Sequence, residues 1–116
     1  MKIIDIKTQD IRFPTSKDNL GTDAVHVDCD YSATYVTIFT DQKDLTGIGL
    51  TFTIGKGNDL CCTVIEYFKE FIIGKNIEEI ERDIASIWEK ITNHSQLRWV
   101  GPQKGVTHLA AAAFFN

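Results

Sequence analysis

The 116-residue sequence has two prolines, three cysteines and one methionine, and no apolar run approaching the roughly 20 residues of a membrane-spanning helix. Each scarcity excludes something. Cys61 and Cys62 are adjacent, Cys29 stands alone, and no Cys-x-x-Cys occurs. An odd set placed this way offers no disulfide framework and fits a reducing compartment. Zinc sites also space their ligands wider than a neighbouring pair. Positive charge is in deficit: 12 Lys and Arg against 16 Asp and Glu give a net charge of -4. That argues against general nucleic-acid binding, because no basic patch is available to neutralise phosphates. The opening MKIIDIKTQD has acids too early for a secretory signal and too little Arg and Ser for a transit peptide. The expectation is a chain with no nucleic-acid and no membrane partner, placed in the cytoplasm, with the mitochondrion as the alternative.

What is present is one domain's worth of patterned sequence. The length suffices to bury roughly 60–70% of the unfolded chain's surface. Near the N-terminus Ile4, Ile6 and Thr8 alternate with Asp5 and Lys7, a two-residue period that predicts a strand. Pro14 cannot donate to a ladder, so the strand ends by Phe13. Residues 33–40 (ATYVTIFT) and 48–54 (IGLTFTI) read as two further strands, joined by a turn carrying Asp44 and Gly47. Three strands so joined predict an antiparallel meander with one face needing a cover. Helical periodicity then takes over. Asn58 or Asp59 is the expected N-cap. Cys61, Val64, Ile65, Phe68 and Ile72 form one stripe, and Gly74 ends it. Asn76 with Glu79 resembles a capping box. It opens a second stripe of Ile77, Ile80, Ile84, Ile87, Trp88 and Ile91. Residues 93–107 are irregular and hold Arg98, Trp99 and Pro102; an Ala-rich helix follows from Val106. That helix has no stop signal, so the domain reads as cut within its last element.

The chain is organised around residues 12–35, a long polar insertion between two strands. Loops beyond roughly 12–15 residues are usually functional or disordered. Phe13, Val25, Val27 and Tyr31 are candidate anchors; Lys17, Asp18, Asp23, His26, Asp28 and Asp30 supply polar chemistry. The reading is a recognition or capping loop, against the plainer one of a solvated surface loop. His26, Asp28 and Asp30 alternate, and an imidazole with two carboxylates could hold a divalent metal. Nothing in the sequence supplies a second shell, so no metal ligand is assigned. Gly55-Lys56-Gly57 lacks the spacing of a phosphate loop; its glycines would let residues 52–56 approach a ligand or another domain. His94 and His108 come without a nucleophile motif, so no hydrolytic triad is supported. Tyr31 offers an apolar body with a hydrogen-bonding tip, and Asp23 an acceptor for hydroxyls. Together they suit a polyhydroxylated ligand such as a sugar acid, the alternative being a strand-edge Tyr and a turn Asp.

The stretches DIRFPTS, GTDAVHVDCDYSATYV, GIGLTFTIGKG and QLRWVGPQKGVTHLA, in that order, resemble the N-terminal region of the L-fuconate dehydratases. These are enolase-superfamily enzymes of the mandelate racemase group, and the resemblance runs over residues 6–113. It implies an α+β fold: a three-stranded antiparallel meander followed by a helical part, forming an N-terminal capping domain over a (β/α) barrel. On that basis residues 1–116 are the capping domain, truncated in its last helix, with the catalytic barrel missing. The implied parent is a hydro-lyase converting L-fuconate to 2-keto-3-deoxy-L-fuconate and water. In the superfamily a Lys or His base works with Mg²⁺, which stabilises the enediolate; in this family a His is the acid. The resemblance puts Gly21, Thr22, Asp23 and Tyr31 at the substrate, with Thr22 where a small residue such as Ala is expected. The family's Lys-x-Lys pair does not occur, and its metal ligands would lie beyond Asn116. A barrel takes about 250 residues. No residue here is therefore expected to be catalytic or to bind Mg²⁺, and the chain alone is expected to be inactive. Its expected partners are an L-fuconate-like substrate and the missing barrel, with a homo-oligomeric parent left open. The rival reading is a short non-catalytic interaction module that kept only the cap fold and docks through the helix ending at Phe115. A third is a small-molecule binding domain without catalysis.

Overall fold

The computed structural model describes residues 1–100 and 105–116. Three strands, β1 (Ile3–Arg12), β2 (Ser32–Thr40) and β3 (Thr46–Thr53), form an antiparallel sheet in the order β1-β2-β3. Ile6 pairs with Ile38, Arg12 with Ser32 and Val36 with Gly49. The expected meander is present, with two corrections. Ile3 pairs with Thr40 but Asp5 with Phe39, so one extra residue sits in β1. This bulge puts Ile3 and Ile6 in the core and leaves Ile4 53% exposed, breaking the simple alternation of Ile4 with Ile6. The β2–β3 turn uses Asp44 at φ 66, and Gly47 lies inside β3.

Helices α1 (Asn58–Ile72) and α4 (Val106–Phe115) cover one face of this sheet. The whole expected stripe of α1 is buried: Cys61, Val64, Ile65, Phe68 and Ile72. Each fully buried aliphatic side chain contributes about 1.5–3 kcal/mol, so this face drives much of the assembly. From α4, Ala110, Ala111, Ala113 and Phe114 join the core. The close crossing of α4 over β3 depends on Gly49: a Cβ there would run into the Ala113 carbonyl oxygen. The N-cap of α1 is Gly57, at φ 94, and neither Asn58 nor Asp59. Asn58 is instead the first helical residue, fully buried, with its side chain turned into the sheet.

The second stripe is split. Helices α2 (Ile77–Arg82) and α3 (Ile84–Thr92) meet at Asp83, whose φ of -136 and ψ of 45 are not helical. Asn76 N donates to Glu79 Oε2 at 3.4 Å, as the capping box requires. The break at Asp83 changes the helical phase. Ile80, Ile87 and Ile91 are buried, whereas Ile84 and Trp88 are largely exposed. After α3, His94 Nδ1 accepts from the backbone N–H of Gln96 and Leu97 (3.3 and 3.2 Å) and shapes a short turn, Leu97–Trp99. Thr107 Oγ1 donates to Val100 O at 3.0 Å and ties that turn to α4. Pro102 lies outside the described residues. Among those described, no helix is long and apolar enough to cross a membrane.

Candidate functional site

The long connection between β1 and β2 is a packed structure, built from contacts between its two ends. Phe13 N donates to Tyr31 O (3.1 Å), extending the β pairing by one step. Thr15 Oγ1 donates to Cys29 O (3.0 Å) and accepts from Tyr31 N (3.1 Å), so one hydroxyl stitches both limbs. The Asp30 carboxylate accepts from Ser16 N and Ser16 Oγ (3.1 and 2.6 Å), and these donors hold it below the ordinary carboxylate range. Cys29 is buried, with its Sγ 3.6 Å from Gly21 O. Phe13, Val25 and Val27, expected as anchors, are exposed; Val25 is 80% so. The anchors are Thr15, Ser16, Cys29 and Asp30, polar or small residues that hydropathy does not single out.

The four residues expected at substrate fall within this loop. Gly21 has φ 72, and a Cβ on it would strike the Tyr31 ring. Only glycine meets both demands without strain. Tyr31 Oη donates to Gly21 O at 2.6 Å, and the Tyr31 ring stacks on Phe52 of β3 with centroids 5.6 Å apart. Thr22 Oγ1 donates to Asn19 O (3.0 Å). Asp23 Oδ1 accepts from Val25 N and His26 N (2.8 and 2.7 Å), and Oδ2 lies 3.2 Å from His26 Nδ1. The backbone donors of His26 and Val25, then the His26 ring, pull the Asp23 carboxyl down to about 2. Gly21 and Tyr31 are thus brought into contact, while Thr22 and Asp23 bend the chain beside them. Each also builds the loop that displays it.

The turn between β3 and α1 closes against the same loop. Asp30 N donates to Ile54 O (3.0 Å). Gly55 has φ 121, and a Cβ there would press on Asp30. Between turn and loop lies a cleft of about 600 Å³, lined among others by Arg12, Val25, His26, Asp28, Ile54 and Lys56. Arg12, on the cleft wall, leads to a polar hub at Asn58 through Asp10. Asn58 Nδ2 donates to Asp10 Oδ1, and Asn58 Oδ1 accepts from Thr34 and Thr53 hydroxyls, both at 3.0 Å. Arg12 grips Asp10 at 2.7 Å and reaches Asp59 at 3.2 Å. Arg12, then Asn58, hold the Asp10 carboxyl below its ordinary value. Sequence reasoning missed this hub. Its one signal was Asp10, in phase with Ile6 and Thr8 on a strand whose partner position is Thr34.

Metal binding finds no support in this geometry. Asp30 turns to Ser16 and His26 to Asp23, so the alternating trio does not converge. Among the described residues no three His, Cys, Asp or Glu side chains group to hold an ion. The residues present therefore do not fit the Mg²⁺ that the resemblance implies for its parent.

No family model matches the chain. It is 46% identical over 116 residues to mitochondrial enolase superfamily member 1 of Xenopus laevis, covering 99% of this chain and 26% of that protein. It is 44% identical over 114 residues to the L-galactonate dehydratase of Hypocrea jecorina, covering 98% of this chain and 25% of that protein. The crystal structure of human mitochondrial enolase superfamily member 1 superposes with a TM-score of 0.93 at 42% identity, over 99% of this chain and 26% of that one. At the level of fold alone, the L-talarate dehydratase of Polaromonas, complexed with Mg and L-glucarate, gives a TM-score of 0.66 at 16% identity, over 97% of this chain and 26% of that one. The chain spans about a quarter of the length of the curated relatives it matches. Its relatives are enolase superfamily members, and its three-stranded antiparallel sheet followed by helices matches the N-terminal capping fold of that superfamily.

Proposed function

We propose that this chain is the substrate-capping part of an L-fuconate dehydratase-like, Mg²⁺-dependent sugar-acid dehydratase, whose catalytic barrel is supplied by sequence outside these 116 residues. The observation that carries this reading is the 44% identity, over 98% of this chain, to a protein named L-galactonate dehydratase. In this division of labour the cap binds and excludes water, which strengthens every electrostatic interaction in the closed site. Asp23, ionised across the neutral range, offers its carboxylate edge to substrate hydroxyls. The Tyr31–Phe52 pair offers an aromatic wall. The barrel would supply the Mg²⁺ ligands and the proton-abstracting base, the pairing that the superfamily uses. The isolated chain is inert, because its sequence has no Lys-x-Lys pair and, among the described residues, no group of side chains able to hold the ion. The relatives' name favours the mitochondrion over the cytoplasm as the compartment.

The test is steady-state turnover of L-fuconate and L-galactonate by the full-length polypeptide containing this sequence, with Mg²⁺, beside the 116-residue chain alone. The expected outcome is dehydration by the full-length protein, none by the isolated chain, and a raised KM in Asp23→Ala. A full-length protein that turns over no sugar acid overturns the reading. Turnover by the isolated chain overturns the division of labour.

A further inference from the structure

The two edges of the sheet are finished differently. On β1 the outward groups are taken up: Ile3 N donates to Lys75 O (3.0 Å), Ile3 O accepts from Gly74 N (2.8 Å), and Ile6 N donates to Asp5 Oδ1 (2.8 Å). The strand is bulged between Ile3 and Asp5 and carries Asp5, Lys7, Asp10 and Arg12. Bulges, charges and covering segments are the devices that blunt a sheet edge against further pairing. β3 has none of them. Thr46–Thr53 reads TGIGLTFT, with no charge, no proline and an unbroken register to β2. The direction of its free groups follows from the ladder. Phe13 N donates to Tyr31 O, so odd-numbered residues of β2 bond to β1 and even-numbered ones to β3. The β3 partners of the even-numbered residues are Gly47, Gly49, Thr51 and Thr53. The N–H and C=O groups of Ile48, Leu50 and Phe52 therefore point outward. Among the described residues no backbone group pairs with them, and only Leu50 O is met, by Asn116 Nδ2 at 3.3 Å.

Those groups call for an extended backbone as the occupant, and the side chains narrow it further. Ile48, Leu50 and Phe52 are exposed on the open face of the sheet. An added strand must bring apolar residues at alternate positions and no charge opposite them. β3 itself meets both conditions. Antiparallel pairing about a two-fold axis at Leu50 sets Leu50 against Leu50 of the second copy, and Ile48 against Phe52. Each opposed pair exchanges two N–H···O bonds. The apolar stripe then runs on from one sheet into the next. Leu50 O has a second lone pair, so the bond from Asn116 is kept. We propose that β3 is a self-association edge: two copies of this chain join β3 to β3 and merge their three-stranded sheets into one continuous antiparallel sheet. Such a contact is isologous, the commonest arrangement among soluble oligomers. The inference stands apart from the sugar-acid reading, because it concerns association and not turnover.

The experiment is analytical ultracentrifugation of the full-length polypeptide containing this sequence, from nanomolar to high micromolar concentration, beside Leu50→Lys, Leu50→Pro and Leu50→Cys. Far-UV circular dichroism checks that each variant is folded. The expected result is a reversible dimer for the wild type. Leu50→Lys sets two ammonium groups opposite each other and raises the dimer Kd at least about tenfold. It leaves every bond of the β2–β3 ladder in place, so the fold is kept. Leu50→Pro removes only an outward N–H and weakens the dimer likewise. Leu50→Cys forms a covalent dimer on mild oxidation, because opposed Cα atoms lie about 5.5 Å apart, within reach of a disulfide. Gln9→Cys, on β1, forms none. Cys29 and Cys61 are buried and Cys62 half-buried, so the cross-link reports the new thiol. A wild type that stays monomeric throughout, with no cross-link in Leu50→Cys, overturns the proposal. So does an oligomer whose Kd is indifferent to Leu50→Lys and whose Leu50→Cys variant does not cross-link, since its copies then meet through another surface.

Discussion

Asp23 shows how a side chain that looks like a ligand-binding group can first serve its own loop. Its carboxylate takes the backbone N–H groups of Val25 and His26 and sits beside the His26 ring. Those donors lower its pKa from 3.8 to about 2. A carboxyl depressed in the folded state contributes its full stabilisation above the unfolded value and loses it as pH falls through the folded one. The turn at residues 23–26 should therefore hold from neutrality down to about pH 4 and loosen between 3.8 and about 2. The amide chemical shifts of Val25 and His26 report this directly, and Asp23→Ala should remove the transition. A midpoint at or above 3.8 would sink the assignment. At this scale residue type singled out Asp23 and Tyr31, and the family resemblance added Gly21 and Thr22. The anchoring roles of Thr15, Cys29 and Asp30 were not legible. Their partners lie 14 or 16 residues away or are backbone atoms, and no local pattern encodes such a pairing.

At the scale of elements, periodicity worked wherever an element is regular. Every residue expected on the α1 stripe is buried, and the capping box at Asn76 forms as its spacing suggests. Periodicity failed where geometry shifts phase within an element. The β1 bulge moved Ile4 to the outside, and the break at Asp83 did the same to Ile84. It also failed at Asn58, which has the composition of a cap and the position of a clamp. Asn58 joins α1 to all three strands through Asp10, Thr34 and Thr53. Asn58→Ala removes the side-chain hydrogen bonds to Asp10, Thr34 and Thr53, while Asp10 keeps Arg12 and Thr34 keeps the Asn58 carbonyl oxygen. Each hydrogen bond lost costs about 0.5–1.5 kcal/mol, and in a domain this size each kcal/mol lowers Tm by roughly 4–8 °C. Thermal unfolding of the variant should show a fall of at least that size. A Tm within a degree or two of wild type would mean the hub is not a clamp.

Among the described residues, helices cover one side of the sheet and leave the other open. Gly49 meets α4 on the covered face, so its alternating neighbours Ile48 and Leu50, with Phe52 beyond, point away from the helices, and all three are exposed. Contiguous apolar surface of this kind is a site of association. The isolated chain should accordingly self-associate as concentration rises, by light scattering, and Ile48→Lys should reduce the effect. A monodisperse chain at all concentrations would favour the self-standing interaction module over a cap separated from its barrel.

The sequence by itself determined the strand order, the α1 stripe and the resemblance to enolase-superfamily proteins. These depend on local spacing or on short runs of identity, both of which a linear string preserves. Only the tertiary structure decided which of the loop's charges are engaged and which are free. Asp30 is taken by Ser16 and Arg12 by Asp10 and Asp59, while Asp28 and Lys56 remain open on facing walls of one cleft. In composition these residues are equivalent. What separates them is the registration of segments far apart in the chain, which brings some charges within hydrogen-bond distance and leaves others exposed.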